Sequence, residues 1–135
     1  MNIVLDTNIL MSALIKDSTI RKIIINSPHN FILPEFELEE IYKHKKEILA
    51  KSKLSERELD ILLLRLLRHI RIAPAGIVIK YKEEANKIMY KIDSNDVPFI
   101  ATALAFNCPI WTEDKHFKRQ NKVKILSIKD LLKAN

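Results

Sequence analysis

Glycine is nearly missing from this chain: Gly76 is the only one in 135 residues. Loops of the G-x-G-x-x-G and Walker A kinds need several glycines to bring backbone close to phosphate. Dinucleotide-binding and P-loop chemistry are therefore excluded, and so is the G-x-S-x-G nucleophile elbow. Cysteine is as scarce. Cys108 stands alone, so neither an internal disulfide nor a multi-cysteine zinc site can form within one chain, which fits a reducing compartment. None of the four histidines lies in an H-E-x-x-H pattern. No apolar run approaches the length of a membrane span. The N-terminus opens on a strand pattern and lacks the basic region of a signal peptide. A cytoplasmic protein without membrane segments is expected.

What is present is a chain with 47% hydrophobic and 30% charged residues. That balance suits one globular domain over residues 1–135 with a sizeable core. The net charge is +6 and the pI near 9.4. Such a surface fits a polyanionic partner such as RNA or DNA, and equally an ordinary lysine-rich solvated exterior.

Hydrophobic patterning divides the chain into strands separated by helices. Ile3–Leu5 reads as a buried strand, followed by a helix from Thr7 to Lys16 and a break at Asp17-Ser18-Thr19. A second helix runs through Ile25, and Ser27-Pro28-His29-Asn30 is a turn cluster. Phe31–Leu33 is a second strand. Pro34 suits the first position of a long helix reaching Lys51, with acids first and bases later, as the helix dipole favours. Ser55-x-x-Glu58 is a capping box for a leucine-rich helix through Arg68. Ile70–Ile72 reads as a strand or the end of that helix, and Ile77–Ile79 as a short strand or helix. A helix follows over Lys80–Ile92. Pro98 is tolerated in the first turn of a buried helix ending near Phe106. Ile110–Thr112 and Val123–Leu126 are strands, and Ser127-x-x-Asp130 starts a last helix. Strands alternating with helices predict an α/β fold with a largely parallel sheet.

Acids stand where the strands of such a sheet end. Asp6 leaves the first strand, and Asp114 closely follows Ile110-Trp111-Thr112. Between them lie Glu40 and the pair Asp93/Asp96. Ligands bind at the carboxyl ends of parallel strands. Carboxylates gathered there repel one another unless a cation fills the site, which points to a divalent metal. Any one of these acids alone is as readily a solvated charge or a helix cap; the combination is the signal.

In combination the acids resemble a known family. Val4-Leu5-Asp6-Thr7-Asn8-Ile9-Leu10 is similar to the opening of PIN-domain nucleases, including VapC toxin ribonucleases. Leu38 with Glu40-Ile41 resembles their second motif. Asp93-Ser94-Asn95-Asp96 followed by Phe99-Ile100-Ala101-Thr102-Ala103 resembles the third. Thr112-Glu113-Asp114 followed by Phe117 resembles the fourth. The set covers nearly the whole chain in the family order. It implies a three-layer α/β/α sandwich around a central, mainly parallel sheet, and an acidic quartet of Asp6, Glu40, Asp96 and Asp114. Glu39 is adjacent to Glu40 and Glu37 is near; Glu40 is preferred because Leu38 and Ile41 match the apolar frame of the motif. Many relatives carry an acid two positions after Asp114, where this chain has His116. Asp93 then serves as an additional outer acid.

The resemblance implies a metal-dependent endoribonuclease that uses Mg²⁺ or Mn²⁺, hard cations suited to an all-carboxylate site. Asp6, Asp96 and Asp114 are the expected metal ligands, with Glu40 completing the site. Asn8 and Thr112 are expected to orient carboxylates. Lys115, Lys118 and Arg119 are the best placed to hold phosphate; Tyr42 and Phe117 are the better candidates for base stacking. The family's habits imply RNA as substrate, an antitoxin protein as partner, and a homodimer to which the excess of leucine over 59–67 contributes. The competing reading is a catalytically silent RNA-binding or scaffold protein of the same fold.

Overall fold

The computed structural model describes residues 1–15 and 18–133. Five strands form one sheet: β1 (Asn2–Leu5), β2 (Asn30–Pro34), β3 (Ile70–Ala73), β4 (Ile110–Trp111) and β5 (Ile125–Leu126). Every pairing is parallel, in the order β3-β2-β1-β4-β5. Helices connect the strands: α1 (Thr7–Ile15), α2 (Ser18–Asn26), α3 (Phe36–Lys43), α4 (Lys45–Ser52), α5 (Glu56–Leu67), α6 (Ala75–Lys80), α7 (Lys82–Met89), α8 (Val97–Phe106) and α9 (Ile128–Lys133). Lys16 and Asp17, where the sequence places the end of the first helix and its break, lie outside the described residues.

Alternation along the strands builds the layers, because successive side chains point to opposite faces. Ile3, Leu5, Phe31, Leu33 and Trp111 share one core with Leu10, Ile24, Leu63 and Leu66. Val4, Ile32 and Ile110 turn the other way and pack with Val78, Met89, Ile100 and Phe117. A sheet buried on both faces needs apolar residues at nearly every strand position, as Ile3-Val4-Leu5 and Phe31-Ile32-Leu33 supply. The result is the expected α/β/α sandwich.

Several local expectations are met atom for atom. Ser55 Oγ accepts from the Glu58 amide at 3.1 Å while Glu58 Oε1 accepts from the Ser55 amide at 3.1 Å, so the capping box is complete. Asp130 and Ser127 exchange equivalent bonds at the start of α9. Others are revised. Pro34 closes β2 opposite Ala73 instead of opening a helix, because pairing continues into the Glu35 amide, which donates to the Ala73 carbonyl at 3.0 Å. The single helix read over 34–51 is two, divided at His44, whose amide reaches both the Glu40 and Ile41 carbonyls at 3.2 Å. The tightened turn redirects the chain so that Ile41 and Ile48 both bury. Ile70–Ala73 is a strand and residues 77–79 are helical.

Strand order fixes where a site forms. From β1 the chain steps outward to β2 and β3, then returns to β4 on the other side of β1. The direction of winding reverses between β1 and β4, which opens a crevice at their carboxyl ends.

Candidate active site

Asp6 leaves β1 at that crevice. It caps α1: its Oδ1 accepts from the Asn8 amide at 3.3 Å and its carbonyl from the Ile9 amide at 3.0 Å. Its Oδ2 accepts from Thr112 Oγ1 at 2.7 Å. Thr112 follows β4, and its hydroxyl also accepts from the Asp114 amide at 2.9 Å. Asp114 Oδ1 in turn accepts from the His116 amide at 2.9 Å, starting the 3₁₀ turn Lys115–Arg119. Asp93 does the same for the turn Ser94–Asp96, with its Oδ1 on the Asn95 amide at 2.9 Å. Capping occupies one carboxylate oxygen of each acid, and these caps and the Thr112 hydroxyl hold the carboxylates together.

Asp96 sits differently. It is only 8% exposed, its carboxylate makes no cap, and its Oδ2 is buried without a partner. Buried polar atoms are almost always satisfied, so an orphaned carboxylate oxygen in an acidic crevice marks a place for a cation. Burial, then Asp93, Asp114, Asp6 and Glu37, push the Asp96 carboxyl up to about 7. Burial also raises the Asp6 carboxyl; the Thr112 and Asn8 bonds oppose the rise and the Asp114 charge adds to it.

Glu37, set aside for Glu40 in the sequence reading, belongs to this crevice. Glu37 is buried and its Oε2 accepts from Thr7 Oγ1 at 2.9 Å. Its carboxyl is raised by burial and by the charges of Glu40 and Asp6, while Thr7 opposes the rise. Glu37, Glu40 and His44 follow the i, i+3, i+7 stripe of one helical face and line a single cleft of about 510 Å³ with Asp6, Asn8 and Asp96. Glu39 lies off this stripe and is exposed. Glu37 is the deep member; Glu40 stands at the rim, half-exposed and 3.4 Å from Lys43 Nζ. The missed signal was the start of α3. Because β2 runs on to Pro34 and α3 starts only at Phe36, Glu37 lies just past the end of the strand, within reach of Thr7 just beyond the end of β1.

The other expected residues have different settings. Asn8 is exposed at the cleft and supports Asp6 through its backbone amide. Lys115, Lys118 and Arg119 are exposed on the turn after Asp114. Phe117 is fully buried, edge-on to Phe99 with ring centroids 6.2 Å apart, so it is a core residue and not a stacking surface. Tyr42 is exposed. Glu113, next to Asp114, is directed elsewhere: its Oε1 accepts from the Ile128 amide at 2.7 Å and anchors α9.

The donor set fits a divalent cation. Its members are carboxylates from separate loops, crowded enough to help raise the Asp96 carboxyl, with one buried oxygen unpaired. Hard cations take such oxygen ligands and reverse the repulsion.

The family model described as PIN domain matches residues 4–127. No curated protein matches the chain in sequence. Among solved structures, the chain is similar to one in the crystal structure of VapBC2 from Rickettsia felis bound to a DNA fragment from their promoter. The TM-score is 0.70 at 20% identity, covering 94% of this chain and 98% of that one. It is also similar to a chain of a toxin-antitoxin complex from Klebsiella pneumoniae, with a TM-score of 0.57 at 16% identity over 84% of this chain and 87% of that one.

Proposed function

Because the chain belongs to the PIN domain family, we propose that it is a metal-dependent endoribonuclease, acting as the VapC-type toxin of a toxin–antitoxin pair. One observation carries the reading: the buried Asp6 and Asp96 meet Glu37 at the reversal point of the sheet, and Asp96 keeps an unpaired oxygen there. Asp6, Asp96 and Asp114 would hold Mg²⁺ or Mn²⁺, with Glu37 deep in the cleft and Glu40 at its rim. When bound, the ion supplies a Lewis acid for the phosphodiester and lowers the pKa of water.

The chain's own groups do the positioning. Thr112 locks Asp6 and the Asp114 backbone in one arrangement. Thr7 fixes Glu37, which is placed to orient the attacking water and take its proton. Lys115, Lys118 and Arg119 follow Asp114 on an exposed turn and would meet the phosphates on either side of the scissile bond. None of these groups reads a base edge.

The two similar structures described above come from VapBC2 and from a toxin-antitoxin complex, which supports a protein antitoxin as partner. Ile61 and Leu64 are exposed on α5 while Leu59, Leu63 and Leu66 face the core. That outward apolar pair supports an antitoxin or homodimer contact on α5. The described helices include none long and apolar enough to cross a membrane.

The test is cleavage of mixed single-stranded and structured RNA and DNA with Mn²⁺, Mg²⁺ or chelator, beside Asp96→Asn. Metal-dependent RNA cleavage lost in the variant is expected. A folded wild type that neither binds metal nor cleaves would move the assignment to the noncatalytic protein.

A further inference from the structure

His116 follows Asp114 by two positions, and its geometry sets it apart from an isolated exposed histidine. Its Nδ1 lies 3.4 Å from Asp114 Oδ1 and 3.6 Å from Asp93 Oδ2, so it stands between the two loops that carry the acids. One donor atom from each of Asp93, Asp96 and His116 fits within a 4.8 Å span. Ligands of a first-row ion at about 2.0–2.1 Å stand about 3–4 Å apart. The three groups are thus within a small side-chain adjustment of a shared ion. A second observation points the same way: Asp96 is more than nine-tenths buried and its Oδ2 lacks any partner.

Resting on the metal-nuclease reading above, we propose that His116 is a nitrogen ligand of a mixed site with Asp93 and Asp96, and that it makes this enzyme selective for transition-metal ions over Mg²⁺. Carboxylate sites accept Mg²⁺ readily, whereas imidazole favors the transition series. A neutral imidazole also brings no negative charge where a third carboxylate would, which weakens the hold on a hard ion bound chiefly by Coulomb attraction. Asp114 sits where it orients the ring: its Oδ1 is near Nδ1 and is itself fixed by a capping bond from the His116 amide. The plain alternative is a histidine that only bridges two loops by hydrogen bonds, with no ion.

Pulsed EPR on the Mn²⁺-loaded full chain reads the ligand directly. The wild type is expected to show ¹⁴N coupling that vanishes in His116→Gln while Mn²⁺ remains bound. Competition is expected to need at least tenfold more Mg²⁺ than Mn²⁺ to occupy half the sites, and His116→Asp to narrow that ratio several-fold. His116 is exposed, so both variants should keep the wild-type melting temperature, which circular dichroism checks. Bound Mn²⁺ without ¹⁴N coupling, or an unchanged ratio in His116→Asp, overturns the proposal and leaves the nuclease reading standing. Coupling in a protein that cleaves no RNA upholds the site and overturns the nuclease reading.

Discussion

Thr112 and Asp6 are 106 residues apart, yet the Thr112 hydroxyl donates to Asp6 Oδ2 at 2.7 Å with both groups buried. The same hydroxyl accepts from the Asp114 amide. One oxygen thus joins the ends of β1 and β4 across the reversal point of the sheet and sets two acids relative to each other. Thr112→Val keeps the shape and removes the donor. It is expected to lower metal affinity about 10–100-fold, the usual effect of losing a group that orients a ligand. Thr112→Ser should retain most of it. Calorimetric titration with Mn²⁺ separates the two, and equal affinities for Val and Ser would refute the role.

Glu37 and Glu40 offer a choice that sequence framing and geometry make differently. The apolar frame of Leu38 and Ile41 selects Glu40; burial and the Thr7 bond select Glu37. Glu37→Gln is expected to cost at least tenfold more RNA cleavage than Glu40→Gln at saturating metal. Glu40, half-exposed beside Lys43, should shift activity only a few-fold. The reverse order in a cleavage assay would return the second acidic position to Glu40.

The raised Asp96 carboxyl links stability to pH. In the unfolded chain Asp96 titrates near 3.8, in the metal-free fold near 7. Between these values the fold binds the extra proton, so metal-free stability falls as pH rises from about 4 to 7 and levels off above. Asp96→Asn removes the charge. It should raise the metal-free melting temperature at pH 8 by about 3–6 °C, the shift that about 1 kcal/mol produces in a chain this size, and change little at pH 4. Saturating Mn²⁺ should stabilise the wild type at pH 8 and not the variant. A wild type that is most stable at pH 8 without metal would contradict the charge crowding. Binding should also release a proton, so Mn²⁺ affinity rises toward tenfold per pH unit below about 7.

The layered α/β/α architecture was readable because strands buried on both faces must be apolar throughout and helices must be amphipathic. Ile3-Val4-Leu5 and the Ser55-x-x-Glu58 box state these requirements locally. Asp6 and Asp114 were legible because each leaves a strand, and Asp96 through its motif. The place of Glu37 in the cleft was not, since it depends on where β2 ends and α3 begins, and Pro34 suits a helix start as well as a strand end. Here pairing with β3 decides it, through the Glu35 amide on the Ala73 carbonyl. Phe117 was misread for a related reason. A phenylalanine among Lys115, His116, Lys118 and Arg119 looks exposed, but the 3₁₀ turn points it inward against Phe99. Nothing in the local sequence names that distant partner.

Phe117 therefore makes a sharp distinction testable. As a fully buried ring it should cost about 3–5 kcal/mol on truncation to Ala, enough to lower the melting temperature by well over 10 °C. A base-stacking residue would instead weaken RNA binding and leave melting unchanged. Leucine is the informative partner substitution: it refills most of the space without a π face, so Phe117→Leu should recover most of the stability and, if the ring only packs, the RNA affinity as well. Low affinity with normal melting in Phe117→Leu would return the ring to the substrate.

The basic turn that Phe117 anchors carries the phosphate contacts in this scheme. Lys118 and Arg119 are exposed and neither is near a carboxylate in an ion pair among those described. Replacing both by Ala should leave folding and Mn²⁺ binding intact. RNA affinity should drop for every sequence alike, because phosphate contacts position without reading bases. Each lost contact with single-stranded RNA should reduce the slope of log affinity against log salt by about 0.7. A double variant whose slope falls by about 1.4 assigns a phosphate to each residue. An unchanged slope, measured on catalytically inactive Asp96→Asn background to prevent cleavage, would make this turn an ordinary solvated surface and move the substrate path to the other side of the cleft, where Lys43 stands beside Glu40.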